Sequence, residues 1–269
     1  LFRTRVLSAA VLIPLVAGAV YAGGWLLTAV LFVVAVRAAY ELFHLMADAG
    51  YRPSLAASAV VMAALLAAAR FPALQLAGPV LAASVMGTLV WQLLRPPEGH
   101  PTESWALTLA AALWLGWLLG HLSLLRDLSP PFGLGLGTRW LVLMLLATWI
   151  NDTTAYFAGK AVGRHPCFPY LSPQKTWEGT VGGWCGGLVA TALLGHWLVG
   201  LPWGHGLALG ALLATVAPFG DLAKSMVKRQ MKVKDFSALI PGHGGMFDRI
   251  DSLLFVAPVV YYYATLVVG

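Results

Sequence analysis

Nine apolar stretches, each bounded by charge, glycine or proline, follow one another along the chain at approximately 6–22, 25–47, 54–70, 73–94, 104–125, 139–158, 180–200, 206–223 and 252–268. A helix needs about 20 mainly apolar residues to cross a bilayer core of ~30 Å, and in lipid it satisfies its own backbone hydrogen bonds. The pattern therefore predicts an all-α, polytopic integral membrane protein of about nine transmembrane helices. Composition agrees. Only 10% of the 269 residues are charged, against roughly 25% in ordinary globular chains, which excludes a soluble enzyme. A disordered chain and a disulfide-stapled module are excluded too, since 59% of residues are hydrophobic and there are two cysteines. Cys167 and Cys185 lack metal-ligand spacing and are expected to be inert thiols. The first stretch follows Arg3 and Arg5 without an obvious small-residue cleavage site, so it reads as a retained helix.

With nine spans, the even-numbered loops share a side with the N-terminus. That side holds 13 of the 17 basic residues, while Arg70, Arg126 and Arg139 lie opposite and Arg37 falls within the second span. The positive-inside rule then puts the N-terminus and the basic loops in the cytoplasm. All six lysines lie beyond residue 159, which divides the chain into residues 1–138, about five spans for packing and a dimer surface, and residues 139–269, about four spans with two cytoplasmic motif loops. The polar segments 159–179 and 224–251 are separated by two spans, so they face one compartment whichever way the chain inserts.

Residues 221–251 carry eleven charged or histidine side chains. Asp221 is expected to close the eighth span, and Asp248 and Asp251 to open the ninth. Three apart on one helical face, Asp248 and Asp251 repel unless a cation lies between them. Oxygen ligands of this kind suit Mg²⁺ rather than Zn²⁺; the same residues also suit helix caps paired with Lys228, Arg229 and Arg249. Gly242-His243-Gly244-Gly245 lets backbone N–H groups approach an anion, or forms a plain helix-joining turn, with His243 donating to a phosphate or orienting the turn. Upstream, Ser172-Pro173 reads as an N-cap with proline in the first helical position. With Lys175 in the first turn, that helix start makes an anion site or an ordinary capped interfacial helix with a snorkelling lysine. Asp152, inside the sixth span, is expected to face a polar cavity or an ion. Four carboxylates and a surplus of cations at one interface match a metal-bound polyphosphate. No hydrolase triad is apparent, and transfer to an already ionised phosphate needs none.

Ser225-x-x-Lys228-Arg229-x4-Lys234-Asp235, leading to His243-Gly244-Gly245-x-x-Asp248-Arg249-x-Asp251, resembles the signature of the CDP-diacylglycerol synthase (phosphatidate cytidylyltransferase) family. Asp152-x-x-Ala155-Tyr156-x-x-Gly159-Lys160 and Ser172-Pro173-x-Lys175-Thr176-Trp177-Glu178-Gly179 are similar to the same family, so the likeness covers the C-terminal half in order. The first 140 residues are similar mainly in hydropathy, with Glu41 a looser parallel. The resemblance implies that CTP and phosphatidic acid react to give CDP-diacylglycerol and pyrophosphate, with Mg²⁺ required and K⁺ as a companion ion. It also implies a homodimer in the bilayer, in the bacterial inner membrane with its site facing the cytoplasm, and no nucleic-acid partner. Asp221 and Asp248 would hold the metal centre, supported by Asp251 and Asp152. Lys175, Lys228 and Arg229 would be catalytic, and with Ser172, Thr176, Ser225, His243, Gly244 and Gly245 they would bind the substrates. The sequence departs from the family pattern at Lys224, where an acidic residue commonly precedes the motif serine, and at Phe236, where serine is frequent. Lys224 adds a positive charge beside Asp221.

Two other readings stay open on the sequence. A CTP-dependent lipid-alcohol kinase would need a general base, for which His243 is the motif histidine. A transporter is suggested by Arg37, Glu41 and His44 at i, i+4 and i+7, a stripe that equally suits a structural ion pair. Gly182-x-x-x-Gly186 and Gly183-x-x-x-Gly187 permit close helix packing, within a monomer or across a dimer.

Overall fold

The computed structural model describes residues 2–96, 98–129, 133–233, 236–237 and 244–269, with backbone alone for 2–9, 11 and 12. Its helices are α1 (Phe2–Ala22), α2 (Gly24–Asp48), α3 (Leu55–Ala69), α4 (Ala77–Leu93), α5 (Pro101–Ala112), α6 (Leu118–Arg126), α7 (Leu136–Val162), α8 (Trp177–Leu194), α9 (Trp203–Gln230) and α10 (Phe247–Tyr263). A π-helical stretch over Leu113–Trp117 joins α5 to α6 as one rod, and similar stretches extend α8 to Val199 and α10 to Val268. Among the described residues six rods are long and apolar enough to cross a membrane: Gly24–Asp48, Pro101–Arg126, Leu136–Val162, Trp177–Val199, Trp203–Gln230 and Phe247–Val268. The chain is thus an all-α membrane protein. Helices α3 and α4, with 15 and 17 residues, rise only about 22–26 Å.

One expected helix start is a strand instead. β1 (Pro166–Phe168) and β2 (Ser172–Thr176) pair antiparallel, so Ser172 is no N-cap and Lys175 sits on a hairpin arm rather than in a helical turn. The cap of α8 is Thr176, whose hydroxyl accepts from the Gly179 N–H at 3.2 Å. Glu178 then fastens the hairpin to the helix. Its carboxylate accepts the N–H groups of Arg164 (3.1 Å) and His165 (3.3 Å) and lies 2.5 Å from His165 Nδ1. With that anchor in place and a better cap at Thr176, Pro173 is left on a two-stranded ribbon, where a missing donor costs little.

Glycines set the distances between the last four helices. Along the α7–α8 contact, a Cβ added at Gly183 would lie 2.7 Å from Ala155 Cβ, and one at Gly187 2.8 Å from Asn151 Oδ1. The paired glycine spacing is therefore used inside the monomer. Helix α9 approaches α10 through Gly220, whose missing Cβ would run into the backbone carbonyl of Asp251. Because Asp221 is the next residue, that close approach brings carboxylates from two helices together. Helix α10 packs its other side on α6 and α2, with Phe247 edge-on to Trp114 at 5.1 Å between centroids.

Candidate active site

A cavity of about 560 Å³ opens among α7, the hairpin, α8, α9 and α10. Helix α7 contributes Asp152, Tyr156 and Lys160; the hairpin gives Ser172, Lys175 and Thr176; α9 gives Asp221 and Lys224; α10 gives Asp248, Arg249 and Asp251. Asp221 does not close its helix, since α9 continues to Gln230. This extension carries Lys224 and Lys228 on the same helix as Asp221, so each ammonium can reach back toward α10.

Lys224 sits at the centre. Its Nζ lies 2.8 Å from Asp221 Oδ1, 3.3 Å from Asp248 Oδ1 and 2.5 Å from Asp251 Oδ2, with its side chain only 7% exposed. Lys175 reaches Asp221 Oδ2 at 2.6 Å from the hairpin, and Lys228 reaches Asp248 Oδ1 at 3.1 Å. The remaining oxygens take backbone donors: Asp248 Oδ2 accepts from the Gly245 N–H (3.1 Å) and Asp251 Oδ1 from the Ser252 N–H (2.8 Å). Three carboxylates and three ammonium groups balance in a space where an uncompensated charge is costly. Asp152 stands apart from this network, exposed on α7 with its Oδ1 accepting from Asn151 Nδ2 at 3.4 Å.

Seven of the residues named from sequence thus line one cavity: Asp152, Ser172, Lys175, Thr176, Asp221, Asp248 and Asp251. Lys228 joins through Asp248. Arg229 turns aside, donating Nε–H to the Leu171 carbonyl at 3.0 Å in the hairpin turn, and Ser225 is buried off the cavity wall. Gly244 and Gly245 do not line the cavity, Gly242 lies outside the described residues, and the described backbone donors serve the protein's own carboxylates. Gly245 serves Asp248, and the next two N–H groups, of Met246 (3.0 Å) and Phe247 (3.2 Å), go to Glu41. His243, Lys234 and Asp235 lie outside the described residues.

Glu41 is the residue whose place sequence reasoning missed. Buried on α2, it accepts from Ser237 Oγ at 2.7 Å as well as from the start of α10, and pairs with Arg37 at 3.6 Å. In the Arg37–Glu41–His44 stripe, Arg37 and Glu41 form the ion pair, Glu41 faces the N-terminus of α10, a favourable place for a negative charge, and His44 stacks on Tyr40. The signal was available, since a carboxylate in an apolar helix demands a partner.

The four carboxylates offer the hard oxygens that Mg²⁺ takes, and the cluster already surrounds a cation, the Lys224 ammonium. In that respect the residues fit a metal-assisted centre. Among the described residues, however, no three histidine, cysteine or acidic side chains close around a common metal position, and the Lys224 ammonium lies between three of the carboxylates.

A family model described as the cytidylyltransferase family matches residues 3–267. Among curated proteins, the chain is 41% identical over 158 residues to a phosphatidate cytidylyltransferase of Brucella abortus biovar 1 (strain 9-941), covering 58% of this chain and 56% of that one. It is 35% identical over 172 residues to one of Mycobacterium tuberculosis (strain ATCC 25618 / H37Rv), covering 64% and 50%. With one of Aquifex aeolicus (strain VF5) it shares 43% over 128 residues, 47% of each chain. The chain spans about half the length of the curated relatives it matches.

Proposed function

The chain belongs to the cytidylyltransferase family, and on that footing we propose that it transfers the cytidylyl group of CTP to phosphatidic acid, giving CDP-diacylglycerol and pyrophosphate. The observation that carries this reading is the single cavity in which Lys160, Lys175 and Lys224 meet Asp152, Asp221, Asp248 and Asp251. Its volume of about 560 Å³ falls within the usual range of ligand pockets, roughly 300–1,000 Å³. Two anionic substrates repel, so a site that joins them must supply cations held in fixed positions. Lys175 lines the cavity and is held by one carboxylate, so it can pass to a substrate phosphate, while Lys228, held by Asp248, backs the site.

An oxygen of the phosphatidate phosphate attacks the α-phosphorus of CTP; the new O–P bond forms as the bond to the β-phosphate oxygen breaks, and pyrophosphate leaves. The nucleophile is already an oxyanion, so no base is required, and among the described residues no histidine lines the cavity. Mg²⁺ would be held by Asp152 and Asp221, whose carboxylates are the more accessible, with Asp248 and Asp251 behind them, and would neutralise charge on the pyrophosphate. Tyr156 both lines the cavity and is exposed on the flank of α7, which supports entry of the lipid from the bilayer while CTP arrives from water.

In the same reading the chain crosses the bacterial inner membrane nine times with its N-terminus and site in the cytoplasm, supported by the distribution of basic residues, and K⁺ accompanies Mg²⁺. It pairs as a homodimer through a face other than the glycine seam of α8, which is already occupied by α7. Purified protein given radiolabelled CTP, phosphatidic acid and Mg²⁺ should yield a lipid-extractable cytidine product and an equal amount of pyrophosphate. Label that stays in the aqueous phase would reject the reaction, and label transferred from the γ-phosphate to lipid would replace it with a kinase.

A further inference from the structure

We propose that Lys224 is a resident cation of the acidic cluster, its ammonium filling the focus of Asp221, Asp248 and Asp251 and supplying positive charge that a bound metal ion would otherwise provide. The inference rests on the reading of this site as a metal-assisted nucleotidyl-transfer centre. Its ground is the disposition of six carboxylate oxygens. Lys224 contacts Asp221 Oδ1, Asp248 Oδ1 and Asp251 Oδ2. Asp221 Oδ2 is taken by Lys175, Asp248 Oδ2 by the Gly245 N–H and Asp251 Oδ1 by the Ser252 N–H. Every oxygen of the cluster has a partner, and three of the six have the same one.

Distances exclude joint occupancy of the focus. A divalent ion bonded to Asp221 Oδ1 and Asp251 Oδ2 at about 2.1 Å would fall in the space of the Nζ that already lies 2.8 and 2.5 Å from those atoms. Two positive centres that close repel strongly in a water-poor site. Lys175 and Lys228 hold one carboxylate each and enter from the edge; Lys224 is buried and holds three. Lys224 is rooted one helical turn from Asp221, where Gly220 brings α10 close, and a tethered ammonium loses far less entropy than a diffusing ion. A divalent metal brought by the nucleotide would then be held at the cavity side, by Asp152 and the exposed edge of Asp221, rather than within the cluster.

Counting bound metal without nucleotide tests this. Full-length protein in detergent is titrated with Mn²⁺, and free Mn²⁺ is read from its electron paramagnetic resonance signal. Lys224→Met keeps the length of the side chain and removes its charge. It should bind one more Mn²⁺ per chain than wild type, or the same number at least about tenfold more tightly. The double variant Lys224→Met/Asp251→Asn, which removes one charge of each sign, should lose that gain. Equal uptake by wild type and Lys224→Met overturns the assignment. So does nucleotide-free uptake by wild type that Asp248→Asn and Asp251→Asn each abolish, a result that decides the matter even where the Lys224 variant fails to fold. Failure of the underlying function looks different: wild-type protein would then make no cytidine lipid at any Mg²⁺ concentration, whatever its Mn²⁺ count.

Discussion

The two ends of the chain treat buried polarity in opposite ways. Between α3, α4 and α5, hydroxyls and indoles satisfy one another, with the buried Ser58 hydroxyl an exception. The Ser54 N–H donates to Thr108 Oγ1 at 2.8 Å, Trp91 Nε1 to Ser54 Oγ at 2.9 Å and Trp105 Nε1 to Thr88 Oγ1 at 3.1 Å. Arg126, fully buried, lies near two backbone carbonyls of α1, Val20 at 2.7 Å and Tyr21 at 3.0 Å. Among α7, α9 and α10, by contrast, full charges of both signs gather around a cavity. Neutral partners, carbonyls and the isolated Arg70–Asp127 pair hold helices together, whereas charge of both signs gathered about open space is retained for a ligand. Buried charge alone therefore does not identify the site; its gathering about a cavity does.

The largest expected effect lies at the cavity. Asp248→Asn leaves a hydrogen-bond acceptor for Gly245 but removes the charge that Lys224 and Lys228 share, and turnover should fall by at least about 10³-fold. The variant should retain the size-exclusion profile of the wild type, with a melting temperature lowered by the loss of two buried ion pairs. An active Asn variant that still depends on Mg²⁺ would erase the distinction between the two ends. Glu41→Gln tests the boundary, because Glu41 belongs to the early helices by sequence and to the site by contact. The start of α10 would lose its anionic anchor at Met246 and Phe247, so Asp248 would be held less firmly. We expect kcat to fall about 10–100-fold with KM for CTP nearly unchanged, and a change confined to melting temperature would assign Glu41 to packing.

The residues of the site were legible as types before their geometry was. Apolar runs located every described helix, since lipid imposes a strong length rule, but placed the charged ends of α9 and α10 too short, because α9 continues to Gln230 and α10 begins at Phe247; the density of charge beyond residue 159 marked where chemistry gathers. What sequence misread depended on competition between neighbours. Ser172-Pro173 satisfies the helix-start rule, yet Thr176 caps better once Glu178 fastens the hairpin. The glycines before Asp248 suit an external anion, yet the Gly245 N–H serves Asp248 itself, and the next two N–H groups, of Met246 and Phe247, go to Glu41 on the distant α2. Lys224 looked like a charge added beside a ligand; only the approach of α10 over Gly220 places it among three carboxylates.

Arg126 should give the smallest change in catalysis and so fixes the other pole of the comparison. Its Nε and Nη2 satisfy carbonyls at the end of α1 that no further helical turn can reach. Gly23 turns the chain there with φ of 61°, and a Cβ at that position would lie 2.9 Å from the guanidinium carbon. Arg126→Met fills similar space without donors, leaving the Val20 and Tyr21 carbonyls without those bonds in a dry setting. The expected loss of stability is about 1–3 kcal/mol, read as a lower midpoint in thermal unfolding of the detergent-solubilised protein. At temperatures where the variant is folded, kcat and KM should match the wild type within about twofold, because this end of α6 lies beyond His121, which packs on Tyr261 and Tyr262 at the end of α10 opposite Asp248. A selective fall in kcat with unchanged stability would mean that buried charge serves catalysis at both ends, and the contrast between carbonyl-bound and carboxylate-bound cations would then carry no functional information.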